Sequence, residues 1–158
     1  MDSDCLVKLT KAGAKDAVTK ALEVYIPRGV VRETVVTGKQ RRYADAIEIE
    51  SNIRKKRLRV LQAEKSGRYP LISSRGEAQV LTSFLKGGYD AVASDDQRFL
   101  KKLDSEGIPY LTPTACILYL FYNKANTREE VIQFLFQVRP FVSNEEYEIA
   151  RHDLEVLQ

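Results

Sequence analysis

Four acidic patches stand out in the chain, each in a different local setting. They are Asp2-Ser3-Asp4 at the start, Glu33 within VVRETVV, Glu77 within SRGEAQVL, and Asp95-Asp96 within DAVASDD. Two fall where short apolar runs end and two on expected helices. Carboxylates drawn together from distant segments repel one another unless a cation offsets their charge. Mg²⁺ and Mn²⁺ prefer oxygen ligands. A fold that gathers these acids would suit a metal-assisted reaction on a phosphate.

Each acid also has a plainer reading. Ser94 or Asp95 could cap the helix expected from Gln97. Glu77 could close a capping box with Ser74. Glu33 could pair with Arg32 on the surface, and Asp2 could lie in a loose terminus. The order and context of all four together favour the joint reading.

Other chemistries find less support. The single histidine, His152, lies among charged residues near the C-terminus, which disfavours a Ser-His-Asp triad or a histidine zinc site. Cys5 and Cys116 lie in apolar contexts without C-x-x-C spacing, as expected of reduced core thiols in a cytosolic protein. Neither G-x-G-x-x-G nor G-x-x-x-x-G-K-[ST] occurs, so nucleotide loops of those kinds are disfavoured. A phosphatase of another α/β fold lacks its nucleophilic aspartate motif, and only the terminal D-S-D imitates one.

Basic residues form a second feature. Arg54, Lys55, Lys56, Arg57 and Arg59 cluster, and Lys39, Arg41 and Arg42 precede the same helix. Such a run is either a solvated helix face or a surface that tracks a phosphate backbone. Tyr43 and Tyr69 sit among these charges, where a base could stack.

The elements that must position these residues read as one domain of 158 residues, with 44% hydrophobic and 30% charged composition. A net charge of +3 and a pI near 8.8 admit a polyanionic partner without requiring one. No signal-peptide pattern opens the chain. The longest apolar stretch, Ala115 to Tyr122, is far shorter than the ~20 residues of a membrane helix.

Helical periodicity covers Asp4 to Leu22 with a break near Gly13, and Tyr43 to Lys56 with Ala46, Ile49 and Ile53 on one face. Residues 23–26 and 58–61 read as strands, whereas Val30 to Thr37 is open between strand and short helix. A turn-rich stretch, EKSGRYPLISSRG, leads to the helix of Glu77. From there the order is helix, buried strand (89–93), helix (97–106) and strand (108–111). An apolar helix opens at Thr112-Pro113-Thr114, and two helices follow, 128–138 and 144–157. That succession signals parallel strands with helices on their faces. Ligands of such sheets bind beyond the carboxyl ends of the strands, where Asp95 and Asp96 fall.

Taken together, residues 2 to 122 resemble the PIN domain, a family of metal-dependent nucleases. D-S-D-C-L-V-K-L resembles the opening motif, which would make Asp2 the first metal-binding acid, supported by Ser3 or Asp4. Glu33 in VVRETV, Glu77 in GEAQVL and Asp95 in VASDD resemble the second, third and fourth acids. TGKQRRYADAIEIE is similar to one subgroup and adds Asp45 as a secondary candidate, beside Asp96 and Ser94. Gln79 stands where that subgroup often has an acid. The family has a strand ahead of its first aspartate, so Asp2, at the start of this chain, is expected to be the least firmly held acid.

The resemblance implies an α/β fold with three α/β/α layers around a central parallel sheet. It implies a nuclease domain over 1–125; outside the match, the apolar residues Val131, Ile132, Leu135, Phe136 and Val138 point to a helical extension over 126–158 docked on that domain or on a homodimer partner. It further implies a cytoplasmic endoribonuclease using Mg²⁺ or Mn²⁺ at Asp2, Glu33, Glu77 and Asp95, and the basic cluster of Arg54, Lys55, Lys56, Arg57 and Arg59 is the candidate, by its charge, for contacts with the RNA backbone. Two rivals are a toxin of the VapC-like kind held by an antitoxin protein, and a non-catalytic module that binds RNA or protein.

Overall fold

The computed structural model describes residues 1–61 and 75–156. The turn-rich stretch, with Tyr69 and the Ser74 cap, lies outside the described residues.

Helix α1 (Ser3–Lys11) begins at Asp2, whose side chain accepts from the Cys5 backbone N–H at 2.9 Å. It buries Cys5, Leu6 and Leu9 on one face. Gly13, at φ +68°, makes the break expected there and leads into α2 (Lys15–Ala21). Strand β1 (Val24–Pro27) follows and passes directly into α3 (Arg28–Val31). The segment left open between strand and helix is helical. It continues α3 as a π-helical turn, Arg32–Thr37, and closes with α4 (Gly38–Gln40). A π turn widens the helix by one residue and is frequent at functional sites; this one carries Glu33. Helix α5 (Ala44–Arg54) buries Ala46 and Ile49 as its periodicity requires.

Strand β2 (Leu58–Leu61) pairs in parallel with β1, with Val24 opposite Leu58 and Pro27 opposite Leu61. Helix α6 (Arg75–Leu85) ends before Gly87 and Gly88, both in the left-handed region. Strand β3 (Val92–Ala93) pairs in parallel with β4 (Tyr110–Leu111) around α7 (Gln97–Ser105). Thr112 caps α8 (Pro113–Tyr122), with proline in its first turn, and a Thr127–Glu130 capping box starts α9 (Arg128–Val138). Helix α10 (Asn144–Val156) is the last element.

The core runs through all of these elements. Leu6, Ile26, Leu81, Leu103, Ile117 and Leu120 are fully buried together, each contributing about 1.5–3 kcal/mol. Val131, Leu135 and Val138 of α9 and Ala150 and Leu154 of α10 belong to the same cluster.

The parallel α/β character agrees with the sequence reading, but the described residues form two separate two-stranded pairs rather than one central sheet. The short β3 and β4 supply little ladder. Met1 and Asp2 bridge β1 and β3: the Met1 ammonium donates to the Tyr25 carbonyl at 2.9 Å, and the Asp2 N–H donates to the Ala93 carbonyl at 2.8 Å. Burial lowers the pKa of that ammonium.

Candidate functional site

The carboxyl end of β3 brings two of the four acids together, Asp2 and Asp95. Asp2 is buried there, against expectation for a chain start, because its backbone is tied to Ala93 and its side chain caps α1. The Ser94 hydroxyl donates to Asp2 Oδ2. Burial raises the Asp2 pKa to about 6, with the bonds from Ser94 and the Cys5 N–H pulling the other way.

Asp95 follows and is also buried. Lys8, one turn into α1, donates to Asp95 Oδ2 and pairs with Asp4 at 2.8 Å. Burial opposes the charge on Lys8, but Asp4 and Asp95 outweigh it and raise its pKa. Burial pushes Asp95 up to about 7; Lys8 pulls it down, and Glu146 of α10 adds to the upward push.

Asp96 has a different task. Its Oδ1 accepts from the backbone N–H groups of Arg98 and Phe99, both at 2.9 Å. The cap of α7 is therefore Asp96, not Ser94 or Asp95, because Asp96 is the last extended residue before the helix. Ser94 and Asp95 thus stay turned toward Asp2 and Lys8.

Glu33 is exposed on its π turn and accepts a hydrogen bond from the Ser3 hydroxyl. Its carboxylate also lies against Gly76, where an added Cβ would stand 2.8 Å from Oε2. Glu77, half-buried in the first turn of α6, is the next residue. Gln79 fastens this helix by accepting from the Gly29 N–H at 2.8 Å. A groove of about 510 Å³ opens beside Glu33, lined among others by Ser3, Asp4, Lys11, Arg42, Tyr43 and Asp45. Tyr43 is 52% exposed.

The basic cluster lies elsewhere, at the end where β2 begins. Arg54 pairs with Glu50, Arg57 with Asp16 and Arg59 with Glu23, while Lys55 and Lys56 are exposed. His152 is exposed on α10. Cys5 and Cys116 are buried free thiols, and the hydrogen bond between them, with burial, pushes Cys5 well above its ordinary value.

The donors around β3 are carboxylate oxygens, the kind hard cations choose, and two of them are held at raised pKa by burial. In kind they fit a divalent cation. In arrangement, no group of three or more histidines, cysteines or carboxylates among the described residues is close enough to hold one ion. Lys8 supplies the positive charge that Asp95 meets. Sequence reasoning missed Lys8 and Glu146. The i,i+4 spacing of Asp4 and Lys8 was a visible signal, but nothing local marked Glu146.

The fold is α/β with parallel strands, and Asp2, Ser94 and Asp95 meet at the carboxyl end of β3. A family model described as a PIN domain matches residues 1–154, and the chain belongs to that family. PIN domains are commonly nucleases, typically use divalent metals and commonly bind RNA. Comparison with curated proteins and with solved structures returned no match. No helix among the described residues is long and apolar enough to cross a membrane.

Proposed function

We propose that the protein is a metal-dependent endoribonuclease whose cation would be held by Asp2, Glu33, Glu77 and Asp95. The observation that carries this reading is the burial of Asp2 and Asp95 side by side around Ser94, at the carboxyl end of a parallel strand. Burying two carboxyls so close together is costly, and the cap of α1 and the Lys8 ammonium offset part of that cost, which a divalent cation would offset further.

When bound, a divalent cation supplies Lewis acidity, lowering the pKa of water and offsetting charge on the scissile phosphate. The chain's own residues prepare the place. Ser94 fixes the rotation of Asp2, and Ser3 fixes that of Glu33. Lys8 keeps a positive charge beside Asp95 when no other cation is there. RNA would approach along the groove of Lys11, Arg42 and Tyr43, with a base on the exposed ring and phosphates near the basic side chains. Lys55 and Lys56 would meet more distant backbone. Asp45, which lines the same groove, would orient water or a cationic side chain.

The same reading takes the two strand pairs as halves of one central sheet in a three-layer domain, with Met1 and Asp2 standing between them. It takes α9 and α10 as an extension docked on the domain, and a cytoplasmic location. One observation favours a non-catalytic RNA-binding module instead: no three acids are gathered, and Lys8 already engages Asp95. A toxin restrained by an antitoxin would share the same site, and a homodimer is compatible with either reading.

The test is cleavage of a panel of single-stranded and structured RNAs with Mn²⁺, Mg²⁺ or EDTA, comparing wild type with Asp95→Asn. Metal-dependent cutting that Asp95→Asn abolishes supports the nuclease. RNA binding without cutting, unchanged in Asp95→Asn, supports the module.

A further inference from the structure

Helix α9 packs on the domain through Val131, Leu135 and Val138, and its outer side carries a second apolar stripe that is left exposed. Phe136 is 68% exposed and Ile132 50%. A lone exposed apolar residue is ordinary, but these two stand one turn apart on the same side of a helix. Glu129 lies one turn before Ile132 and Arg139 one turn after Phe136, and both are exposed. The intervals are three, four and three residues, the spacing that keeps side chains on one helix face over several turns. E-x-x-I-x-x-x-F-x-x-R is thus one stripe, acidic at its start, apolar in its middle and basic at its end.

That order is self-complementary. Two copies of α9 laid antiparallel, with a two-fold axis at the level of Phe134, set Phe136 of each against Ile132 of the other. The same register sets Glu129 of each against Arg139 of the other. Contacts between identical chains take this form, in which residue i meets j and j meets i. Both charges are available for it. Among the described residues, neither Glu129 nor Arg139 has an ion partner within the chain. The Arg139 guanidinium lies over the Tyr147 ring, 4.9 Å from its centroid, which holds the side chain in place without neutralising it. Beside Ile132, a groove of about 210 Å³ runs between α9 and α10, lined by Leu135, Tyr147 and Leu154 among others. The pairing brings Phe136 of the second copy to this groove, so a protruding ring on each chain meets a hollow on the other. Aromatic and arginine side chains in such pockets supply much of the energy of an interface.

We infer that the exposed face of α9 pairs antiparallel with a second copy of this chain, with Phe136 seated beside Ile132 and Glu129 against Arg139 at both ends. The contact does not use the acids at β3 and does not rest on the nuclease reading.

The experiment is sedimentation equilibrium of the full chain, without metal or RNA, from about 1 to about 100 µM. The 18.0 kDa chain is expected to form a species of twice that mass. Phe136→Glu changes an exposed position and is expected to weaken association by about 100-fold or more, because the contact is lost twice, with the circular dichroism spectrum unchanged. Glu129→Arg and Arg139→Glu each bring like charges together and are expected to weaken it by about 10-fold, and the double variant, which reverses both, is expected to restore it. The charge variants serve alone if Phe136→Glu does not fold. A wild-type chain that stays monomeric at about 100 µM overturns the pairing and leaves the stripe to a different protein. A dimer that every folded variant leaves within about 2-fold of wild type lies elsewhere on the surface and also overturns it. Weakening by each charge variant with no rescue in the double variant overturns the antiparallel register.

Discussion

The Ser94 hydroxyl donates to Asp2 Oδ2 across 92 residues of chain, and both side chains are buried. That one bond joins the start of the first helix to the end of the third strand.

Ser94→Ala should therefore cost more than a surface serine. Removing a donor from a buried carboxylate costs about 1.5–3 kcal/mol. It also removes a bond that holds the Asp2 pKa down, so that pKa should rise above about 6. Urea unfolding at pH 7.5 would read the loss; a change within ~0.5 kcal/mol, ordinary for surface sites, would contradict the bond's role.

The adjacent aspartates should separate cleanly. Asp96→Asn keeps a good cap and should leave stability and cleavage close to wild type, whereas Asp96→Ala should lose about 1 kcal/mol. Asp95→Asn should fold and lose cleavage. Loss of cleavage in a folded Asp96→Asn would assign Asp96 to the chemistry instead.

Gly76→Ala tests the placement of Glu33. The added methyl would stand 2.8 Å from Glu33 Oε2, and the exposed carboxylate can swing away. The variant should keep its melting temperature and lose Mn²⁺-dependent cleavage. Unchanged cleavage would mean that Glu33 need not rest where it does.

The pH dependence of the metal-free protein follows from two raised carboxyls, Asp2 at about 6 and Asp95 at about 7. Between the ordinary carboxyl value and these figures, the native state holds more protons than the unfolded chain. Their contribution to stability therefore falls as pH rises from roughly 4 to roughly 7, while the Met1 ammonium, lowered by burial, acts oppositely below its ordinary value of 8.0. Lowered carboxyls such as Asp16, held down first by Asn52, act oppositely and only at the acid end, so the carboxyl contribution is greatest at about pH 4–5. Melting in EDTA across pH 4–8 measures this, and Asp95→Asn should flatten the upper part. An Asp95→Asn profile that matches wild type between pH 5 and 7 would refute the burial argument.

Much of the architecture was written in local pattern. The spacing of Leu6 and Leu9, the break at Gly13, the Thr112-Pro113 start of α8 and the glycines after α6 act over a few residues, and those elements appear where expected. The settings of Asp2, Glu77 and Asp95 were legible too, since each follows or opens an element whose type its neighbours dictate, whereas Glu33 fell in a segment left open. What only the tertiary structure decided depends on partners far apart in sequence. Lys8 finds Asp95 across 87 residues, and Thr114 finds Glu146 across 32. The burial of Asp2, the π turn at Glu33 and the separation of the strands into two pairs likewise come from packing. Helix and strand periodicity is a short-range property of the chain. Desolvation, and the choice of a partner for a buried charge, exist only once the whole core has closed around them.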